Sequence, residues 1–380
     1  KNPTPIGGNF MNYKFKKNCY KSIQVLMLGA SVLGLAACGA TKEEAAPVVK
    51  DPSTLTLKEI ETKAKEEGTI NSVGMPDSWA NWGETWNEVK QKYTLEHNDT
   101  DLSSAEEIAK MESEGENATA DIGDVGISFG PIAEQKELTT PYKTSYWDEV
   151  PDWAKDDNGD WVVGYQGTIA FFTNKELVDN PPKSWDDILK GDYKVTVGDV
   201  QRGTQNQMAV LAAAIANGGD ETNLQPGIDY FAKLAKQGRL SLTDAKPANI
   251  EKGEVEVALV WDFNALGYAE QIDRDQFEVA IPSEGSVVSG YATIINKYAK
   301  HPHAAMATRE YILSDEGQIN LAKGFARPIR DVELPKEVAE KMVPEVQYKN
   351  AKPIEDYKAW EETAKNLPQL WQEEVLVHVK

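Results

Sequence analysis

The sequence predicts an α/β protein whose body folds into two lobes. Segments with a strand pattern alternate with segments of helical periodicity from residue 69 to residue 296, which favours α/β layers with largely parallel sheets. About 330 of the 380 residues form this body, more than one ordinary hydrophobic core holds. The body shows no long linker and no internal repeat, so we expect the chain to cross between the lobes rather than finish one before it starts the other.

The first part of the body alternates three predicted strands with two predicted helices. The helix at 82–93 places Trp82, Trp86 and Val89 on one stripe, as packing against a sheet requires. The helix at 103–114 opens with the letters SSAEE, the pattern of a capping box, in which two side chains satisfy the free N–H groups of the first turn. The three strands are predicted at 69–75, 94–99 and 120–125.

The second part of the body begins with a long β segment at 161–174 that contains a glycine. The letters KSWDDILKG predict a short helix with Ser184 as its N-cap. An apolar helix at 205–217 follows a predicted strand at 194–199. We further expect a helix at 224–237, strands at 255–263, 277–281 and 291–296, and mostly helix from His303 onward.

The front of the chain has the features of a secretory signal at residues 11–37. A basic stretch without acids precedes an apolar run at 23–35, which is too short to span a membrane. The run ends in Leu-Ala-Ala-Cys and resembles a bacterial lipobox, which implies that Cys38 is lipidated and tethers the protein to the outer face of the cytoplasmic membrane, at the cell surface or in the periplasm. The alternative is an ordinary cleaved signal. Residues 38–53 are expected to form a flexible tether, and residues 1–10 a non-native or misassigned start.

Charge and cysteine content exclude several classes of function. The chain carries 40 basic and 61 acidic residues, a net charge of −21, and the loss of the signal would remove five lysines and no acid. So acidic a protein lacks the basic face that nucleic acid requires. The two cysteines, Cys19 and Cys38, both precede the body, which therefore has no disulfide, CxxC site or cysteine nucleophile.

Aspartates follow most of the predicted strands, at the edge where open α/β sheets bind their ligands. Asp77, Asp124, Asp199 and Asp262 lie at such ends. Tryptophans accompany two of them, and carboxylates combined with aromatic faces suit an organic cation. The alternative is that these aspartates cap the helices that follow.

A second pattern points to an anion. The letters GDVQRGTQNQ place Arg202, Gly203 and Thr204 at a helix start, where backbone N–H groups, a hydroxyl and a guanidinium could hold a phosphate or carboxylate. The letters DLSSAEE offer a similar hydroxyl-rich start at Ser103. The alternative, which the local pattern favours, is that each segment is a turn followed by a helix cap.

The sequence contains little that indicates a catalytic site. The four histidines lack metal-ligand spacing, and the motifs HExxH, GxSxG, GxxxxGK[ST] and GxGxxG are absent. Paired carboxylates leave a secreted hydrolase as a distant alternative. We therefore predict no enzyme activity, no cofactor and no bound metal.

Several stretches resemble bacterial solute-binding proteins of ABC transporters. These are NKELVDNPPKSWDDILKGDYK, NKYAKHPHAAMATREYILSDEGQ, WDFNALGYAEQ and GFARPIR. The resemblance is to the iron, polyamine, thiamine and phosphonate group with type II topology, and it implies two Rossmann-like lobes joined by two hinge crossings. Lobe I is expected at 54–172 and 289–380, lobe II at 173–288, and the hinges near 172–174 and 283–289.

The resemblance also implies a monomeric protein that binds a small solute between its lobes, closes on it and delivers it to a membrane permease. The iron-binding branch uses adjacent tyrosines late in the chain, and this sequence has no such pair, which disfavours ferric iron. A polyamine- or thiamine-like cation is preferred, and a phosphonate or sugar phosphate is the alternative. The residues expected to bind solute are Asp77, Ser78, Trp79, Ser104, Asp124, Gln166, Asp199, Thr204, Trp261, Asp262 and Tyr291, and those of the anionic alternative are Arg202, Gly203, Thr204 and Ser103.

Overall fold

The structure, a computed structural model, describes residues 51–380. The predicted signal, the lipidated Cys38 and most of the tether therefore lie outside the described residues. None of the helices in this part of the chain combines the length and the apolar run that crossing a bilayer requires.

The described residues form eleven strands and thirteen α-helices. The strands are β1 Thr69–Val73, β2 Glu96–Thr100, β3 Ile122–Gly126, β4 Trp161–Asn174, β5 Val195–Thr196, β6 Leu240–Ser241, β7 Val257–Trp261, β8 Phe277–Ala280, β9 Ser286–Ile295, β10 Arg327–Pro328 and β11 Ala351–Pro353. The helices are α1 Leu57–Glu67, α2 Trp82–Tyr93, α3 Ser104–Glu114, α4 Phe129–Gln135, α5 Trp185–Lys190, α6 Thr204–Ala216, α7 Gln225–Lys236, α8 Pro247–Glu251, α9 Asp262–Ile272, α10 Pro302–Leu313, α11 Asp315–Lys323, α12 Lys336–Ala339 and α13 Tyr357–Glu374.

Most predicted elements are confirmed. Helix α2 and strand β4 have the predicted bounds, and the capping box of α3 forms between Ser103 and Glu106. Two predictions were wrong in extent. Strand β5 is only two residues long, and β9 begins five residues before the predicted strand because its buried, non-alternating residues give no clear period.

Two sheets meet at one strand. In the first lobe the strand order is β2-β1-β3-β9-β4, with β1 parallel to β2 and β3, and with β9 antiparallel to both of its neighbours β3 and β4. In the second lobe the order is β4-β7-β5-β6, and only β5, β6 and β7 run parallel. The sheets are therefore mixed rather than largely parallel, because the long strands β4 and β9 enter them in the opposite direction.

Strand β4 belongs to both lobes. Its pairing with β9 ends at Thr168, and its pairing with β7 begins at the next residue, Ile169. The chain passes from one sheet to the other at this point, four residues before the predicted hinge at 172–174. It returns between Ala280 of β8 and Ser286 of β9.

The C-terminal helix packs on the second lobe. Trp360, Leu367 and Trp371 of α13 belong to the same apolar core as α6 and α7, and the ring of Trp371 lies 5.5 Å from that of Phe231. The predicted assignment of residues 289–380 to lobe I therefore differs from the observed packing. The apolar stripe of α13 explains this placement, because it packs against apolar side chains of α7 such as Phe231.

Candidate functional site

An open cleft of about 820 Å³ lies where the two lobes face each other. The first lobe lines it with the segments that follow β1, β2 and β3 and with part of β9, and the second lobe with the start of α6 and the end of β7. Of the residues expected to bind solute, those that line the cleft are Ser78, Trp79, Ser104, Asp124, Thr204, Trp261 and Tyr291, joined by Ser103 and Arg202 of the anionic alternative.

The start of α3 presents hydroxyl and N–H groups to the cleft. Ser103 caps the helix, and its own N–H donates to Oε2 of Glu106 over 2.8 Å. Ser104 Oγ accepts the N–H of Gly126 over 2.9 Å, which ties the helix start to the end of β3 and leaves the hydroxyl proton free to donate. Ser103 Oγ accepts the N–H of Glu106, so the N–H groups of the first turn that remain available to an acceptor are those of Ser104 and Ala105.

The start of α6 faces the same cleft from the second lobe. Its N-cap residue is Gly203, so no side chain caps the first turn, and Thr204 is exposed. Arg202 precedes it with a largely exposed side chain, whose Nε lies 3.8 Å from Oδ2 of Asp199. Among the described residues that line the cleft, Arg202 is the one basic side chain.

Two buried acids form the floor of the cleft. Asp124 and Glu107 are 3% and 1% exposed, and the Asp124 N–H donates to Glu107 Oε1 over 3.1 Å. Burial, reinforced by the neighbouring Asp124, raises the pKa of Glu107 to about 11. Burial also raises the pKa of Asp124 well above its ordinary value. Glu107 is therefore neutral at physiological pH, and burial favours the neutral form of Asp124 as well.

Aromatic residues surround this floor. The Trp79 indole N–H donates to the Tyr165 hydroxyl over 2.7 Å, and that hydroxyl donates to Oδ2 of Asp124 over 2.9 Å. Trp79 also meets Tyr291 edge-on at 5.7 Å and Phe263 of the second lobe at 5.5 Å. The cleft thus offers flat apolar faces beside its polar groups.

Three of the predicted residues lie outside the cleft because of local geometry. Asp77 and Asp199 are exposed on connecting segments, and Asp199 Oδ1 accepts the N–H of Gln201 in its own turn. Gln166 donates its side-chain amide to the carbonyl of Pro328, over 2.8 Å, along the short pairing of β4 with β10. Gly203 of the anionic alternative acts only as the N-cap of α6.

Asp262 also lies outside the cleft, in a closed network. It is 1% exposed, and its Oδ1 accepts the N–H groups of Thr168 and Phe263 over 3.0 and 2.9 Å. Oδ2 accepts the hydroxyl of Tyr348 over 2.6 Å. Burial raises the pKa of Asp262 to about 6. The side chain holds the crossing point of β4 to the start of α9 and leaves no oxygen for a solute.

The cleft also contains residues that the sequence analysis did not single out. Glu107 is the chief example, and Ser128, Phe129 and Ser289 join it. Ser128 and Phe129 follow directly after β3, so the rule that ligands lie beyond strand ends could have found them. Glu107 lies in the first turn of α3, directly after the capping-box residue Glu106, a position typical of an exposed acid. Its burial follows from glycines elsewhere, because a Cβ at Gly74 would come within 2.5 Å of its Oε2.

Comparison with known proteins relates the chain to a transport family. A family model described as bacterial extracellular solute-binding protein matches residues 117–353. The sulfate-binding protein of Escherichia coli is 28% identical over 184 residues, which are 45% of this chain and 54% of that protein, and the sulfate-binding protein of Salmonella typhimurium matches to the same extent. The chain spans about half the length of the curated relatives it matches.

Solved structures match over a larger share of the chain. The periplasmic binding protein AfuA of Actinobacillus pleuropneumoniae, with fructose-6-phosphate bound, has a TM-score of 0.62 at 20% identity and covers 81% of this chain and 98% of its own. The spermidine/putrescine-binding protein PotD of Streptococcus pneumoniae has a TM-score of 0.67 at 16% identity, covering 82% and 99%. At these identities the likeness shows a shared two-lobe fold.

Proposed function

The chain belongs to the family of bacterial extracellular solute-binding proteins, and we propose that it is the solute-binding component of an ABC importer. The family consists of proteins that bind solutes for transport and not of enzymes, so the prediction of no enzyme activity is confirmed. The family is also extracellular, in agreement with the predicted export of the chain. In this role the lobes close on a solute and present it to a membrane permease, since contacts to both lobes favour the closed state.

The solute that we propose is a small organic anion. The observation that supports this class is that two helix starts face one cleft: α6 of the second lobe has no side-chain cap, and the capping box of α3 in the first lobe does not use the N–H groups of Ser104 and Ala105. Helix N-termini favour negative charge, and Arg202 adds a full positive charge beside one of them. The aromatic side chains Trp79, Trp261 and Tyr291 would contact the organic part of such a solute.

The acids that line the cleft do not prevent the binding of an anionic solute. Glu106 is occupied by the capping box of α3, Glu107 is neutral at pH 7 because burial raises its pKa to about 11, and burial also raises the pKa of Asp124. Asp101 is exposed at the rim, where solvent screens its charge. Three of the acids on which the expectation of a cation rested, Asp77, Asp199 and Asp262, lie outside the cleft.

Calorimetric titration of the soluble body tests this proposal. The solutes are inorganic sulfate, inorganic phosphate, fructose 6-phosphate, spermidine, thiamine and ferric citrate. We expect the organic phosphate to bind, and Arg202→Ala to weaken it about 10- to 100-fold, since a hydrogen bond to a charged group contributes about 1.5 to 3 kcal/mol.

Lys190→Ala is the matched control. Lys190 is also an exposed cation of the second lobe paired with an aspartate, Asp186, but it lies outside the cleft. Its substitution should leave binding unchanged. Equal losses in both variants, or tight binding of spermidine without binding of any anion, would contradict the anionic proposal.

A cationic solute of the polyamine or thiamine type is the second candidate. It is favoured by the aromatic side chains beside Asp124 and Glu107 on the cleft floor. It predicts that Asp124→Asn abolishes binding of spermidine or thiamine and that Arg202→Ala does not weaken it.

We also propose that Cys38 anchors the protein to the membrane. The basis is the lipobox-like ending of the apolar run and the small, charged, proline-containing composition of the segment behind it. Fractionation of cells that express the full chain checks this. Cys38→Ala should move the protein from the membrane fraction to the soluble extracytoplasmic fraction, whereas Cys19→Ala, within the same signal, should not.

A further inference from the structure

We propose that the first lobe binds a calcium ion at a site formed by Glu134, Asp156 and Asp160, away from the cleft. Each of these residues offers one carboxylate oxygen, and the three oxygens lie within 4.8 Å of one another. None of the three is among the described residues that line the cleft, so the inference does not depend on the identity of the solute. The expectation of no bound metal rested on the spacing of histidines, whereas Ca²⁺ takes oxygen ligands.

The three acids come from two neighbouring segments of the first lobe. Glu134 lies in the last turn of α4, and Asp156 and Asp160 lie in the loop that leads into β4. Trp161, the first residue of β4, pairs with Ile294 of β9 at the level where β3 begins. The cleft lies beyond the other end of β3, so the acids are located towards the opposite end of the sheet.

Hydrogen bonds hold the two aspartates of the loop in place. Oδ2 of Asp156 accepts the N–H groups of Asn158 and Asp160 over 2.9 and 3.0 Å. Oδ1 of Asp160 accepts the hydroxyl of Thr139 over 2.7 Å. These bonds use one oxygen of each aspartate and leave the second for a ligand. The spacing Asp-x-Asn-x-Asp is also that of the first three ligands in an EF-hand loop, although Trp161 stands where that loop has glycine.

An unpartnered indole N–H faces the acids. Trp161 is 6% exposed, and its Nε1 makes no hydrogen bond. Its ring packs against α4 at Gly130, where a Cβ would come within 2.7 Å of the ring. The N–H thereby lies close enough to Glu134 to favour the charged carboxylate, but it does not meet hydrogen-bond geometry. Buried polar groups are nearly always paired, so this N–H indicates that the Glu134 carboxylate moves when the site is complete.

A bound cation accounts for both the cluster and the free N–H. Carboxylates that bind a metal are themselves hydrogen-bonded by groups around the site. A cation between the three acids would draw the carboxylate of Glu134 towards Asp156 and Asp160, and its other oxygen would accept the N–H of Trp161. Without a cation, Glu134 is in an unfavourable place, since the end of a helix disfavours negative charge and two further acids lie beside it.

Within the part of the chain that the structure describes, no basic side chain forms an ion pair with the three acids. The lysines nearest to them in sequence, Lys136 and Lys155, pair with other acids over 2.9 and 3.9 Å. Arg309 acts on Asp160 from a distance, but its buried guanidinium donates to backbone carbonyls and to a threonine hydroxyl. An ion from solution can therefore supply the positive charge that the cluster lacks.

The ligand set favours calcium. All three donors are carboxylate oxygens, which suit Ca²⁺ and Mg²⁺ better than zinc or copper. Oxygens at this spacing can surround Ca²⁺, whose bonds to oxygen are about 2.3 to 2.6 Å long, whereas Mg²⁺ requires about 2.0 to 2.1 Å in a regular octahedron and keeps several waters. A bound Ca²⁺ would join the end of α4 to the start of β4.

Thermal melting of the full chain tests the site, after purification in mild detergent and removal of metals with EDTA. Calorimetric titration with CaCl₂ should give one site per chain with a Kd of about 0.1 to 1 mM, the range of extracellular calcium modules. We expect CaCl₂ at about 10 mM to raise the melting temperature by about 2 to 4 °C, because the ion binds the folded state alone. MgCl₂ at the same concentration should give a much smaller shift.

Substitutions of the acids locate the ion. Glu134→Gln and Asp160→Asn keep the shape of each side chain and should each abolish the calcium-dependent shift. In EDTA, both variants should melt no lower than the natural protein, because the loss of one negative charge relieves repulsion within the cluster. Asp157→Asn is the matched control. It removes an exposed acid of the same loop that does not belong to the cluster, and it should keep the full shift.

Luminescence of Tb³⁺ gives a second readout, since this ion occupies calcium sites and is sensitised by a nearby indole. The signal should be strong and displaced by CaCl₂ in the natural protein and in Asp157→Asn, and weak in Glu134→Gln. Absence of both calorimetric binding and a melting shift would overturn the site. Equal shifts in the natural protein and the two cluster variants would do the same, since they indicate general screening of an acidic surface, and an equal effect of MgCl₂ would overturn the assignment to calcium.

Discussion

Helices α6 and α9 both begin after a strand of the second lobe, yet only α6 leaves its first turn open. At α6 the N-cap is Gly203, which has no side chain to offer, and the free N–H groups face the cleft. At α9 the first residue, Asp262, accepts three hydrogen bonds from Thr168, Phe263 and Tyr348 and is buried. One helix start is thus available to a solute, and the other is part of the framework.

The difference between the two helix starts comes from residues that are distant in the sequence. Gln205 of α6 links the two starts, because its Oε1 accepts the N–H of Trp261 and the side-chain amide of Asn264. At the start of α9, the hydroxyl of Tyr348 donates to Asp262 from a segment 86 residues further along the sequence. At α9, then, a remote side chain completes the hydrogen bonds of the acid that follows the strand, and this helix start is closed to a solute.

Removal of the Asp262 carboxylate should have the largest effect on folding. Asp262→Ala leaves two N–H groups and a hydroxyl buried without a partner, and we expect a loss of about 3 to 5 kcal/mol in the free energy of unfolding, measured in urea. Asp262→Asn preserves most of these contacts and should cost much less. Equal losses in the two variants would show that the hydrogen bonds are not what Asp262 contributes.

The pH dependence of stability should reveal Asp262 as well. Burial raises its pKa from 3.8 to about 6 in the folded state, so its contribution to stability is fully present below pH 3.8 and is lost as the pH rises through 6. The loss amounts to about 3 kcal/mol for a shift of about two units. We expect Asp262→Asn to gain about this much relative to the natural protein between pH 4 and pH 8, as measured by urea unfolding.

Substitution of Tyr348 tests how much its hydrogen bond to Asp262 contributes to stability. Tyr348→Phe removes the hydroxyl that donates to Asp262 and should cost about 1 to 2 kcal/mol, since one buried acceptor loses its partner. It should also raise the pKa of Asp262 further, because this hydrogen bond favours the carboxylate. Tyr298→Phe, at a half-exposed ring, is the control and should leave the urea midpoint unchanged.

Glu107 should show the smallest effect. Burial raises its pKa to about 11, so the side chain is already neutral at pH 7, and glutamine preserves its shape and its acceptor for the Asp124 N–H. We expect Glu107→Gln to change the free energy of unfolding by less than about 1 kcal/mol at pH 7. A loss of several kcal/mol would mean that Glu107 is charged in the free protein and paired in some other way.

The sequence predicted the fold and much of the cleft for local reasons. Strand ends, the capping box of α3 and the glycine start of α6 are properties of short segments, and each is observed where it was expected. Asp262 and Glu107 depend on long-range packing. The hydroxyl of Tyr348 donates to Asp262, and Gly74 and Gly123 make room for the carboxyl of Glu107. No periodicity within one segment contains that information.

The sharing of β4 between two sheets limits how this protein can be recombined with its relatives. A chimera that takes one lobe from another protein must join the two parents at each passage between the lobes, and one of these junctions lies between Thr168 and Ile169, inside a strand whose residues are almost all buried. The new half-strand must match the register of β9 on one side or of β7 on the other. The two lobes are therefore inherited together, and changes of solute are expected to arise from substitutions at the cleft rather than from exchange of whole lobes.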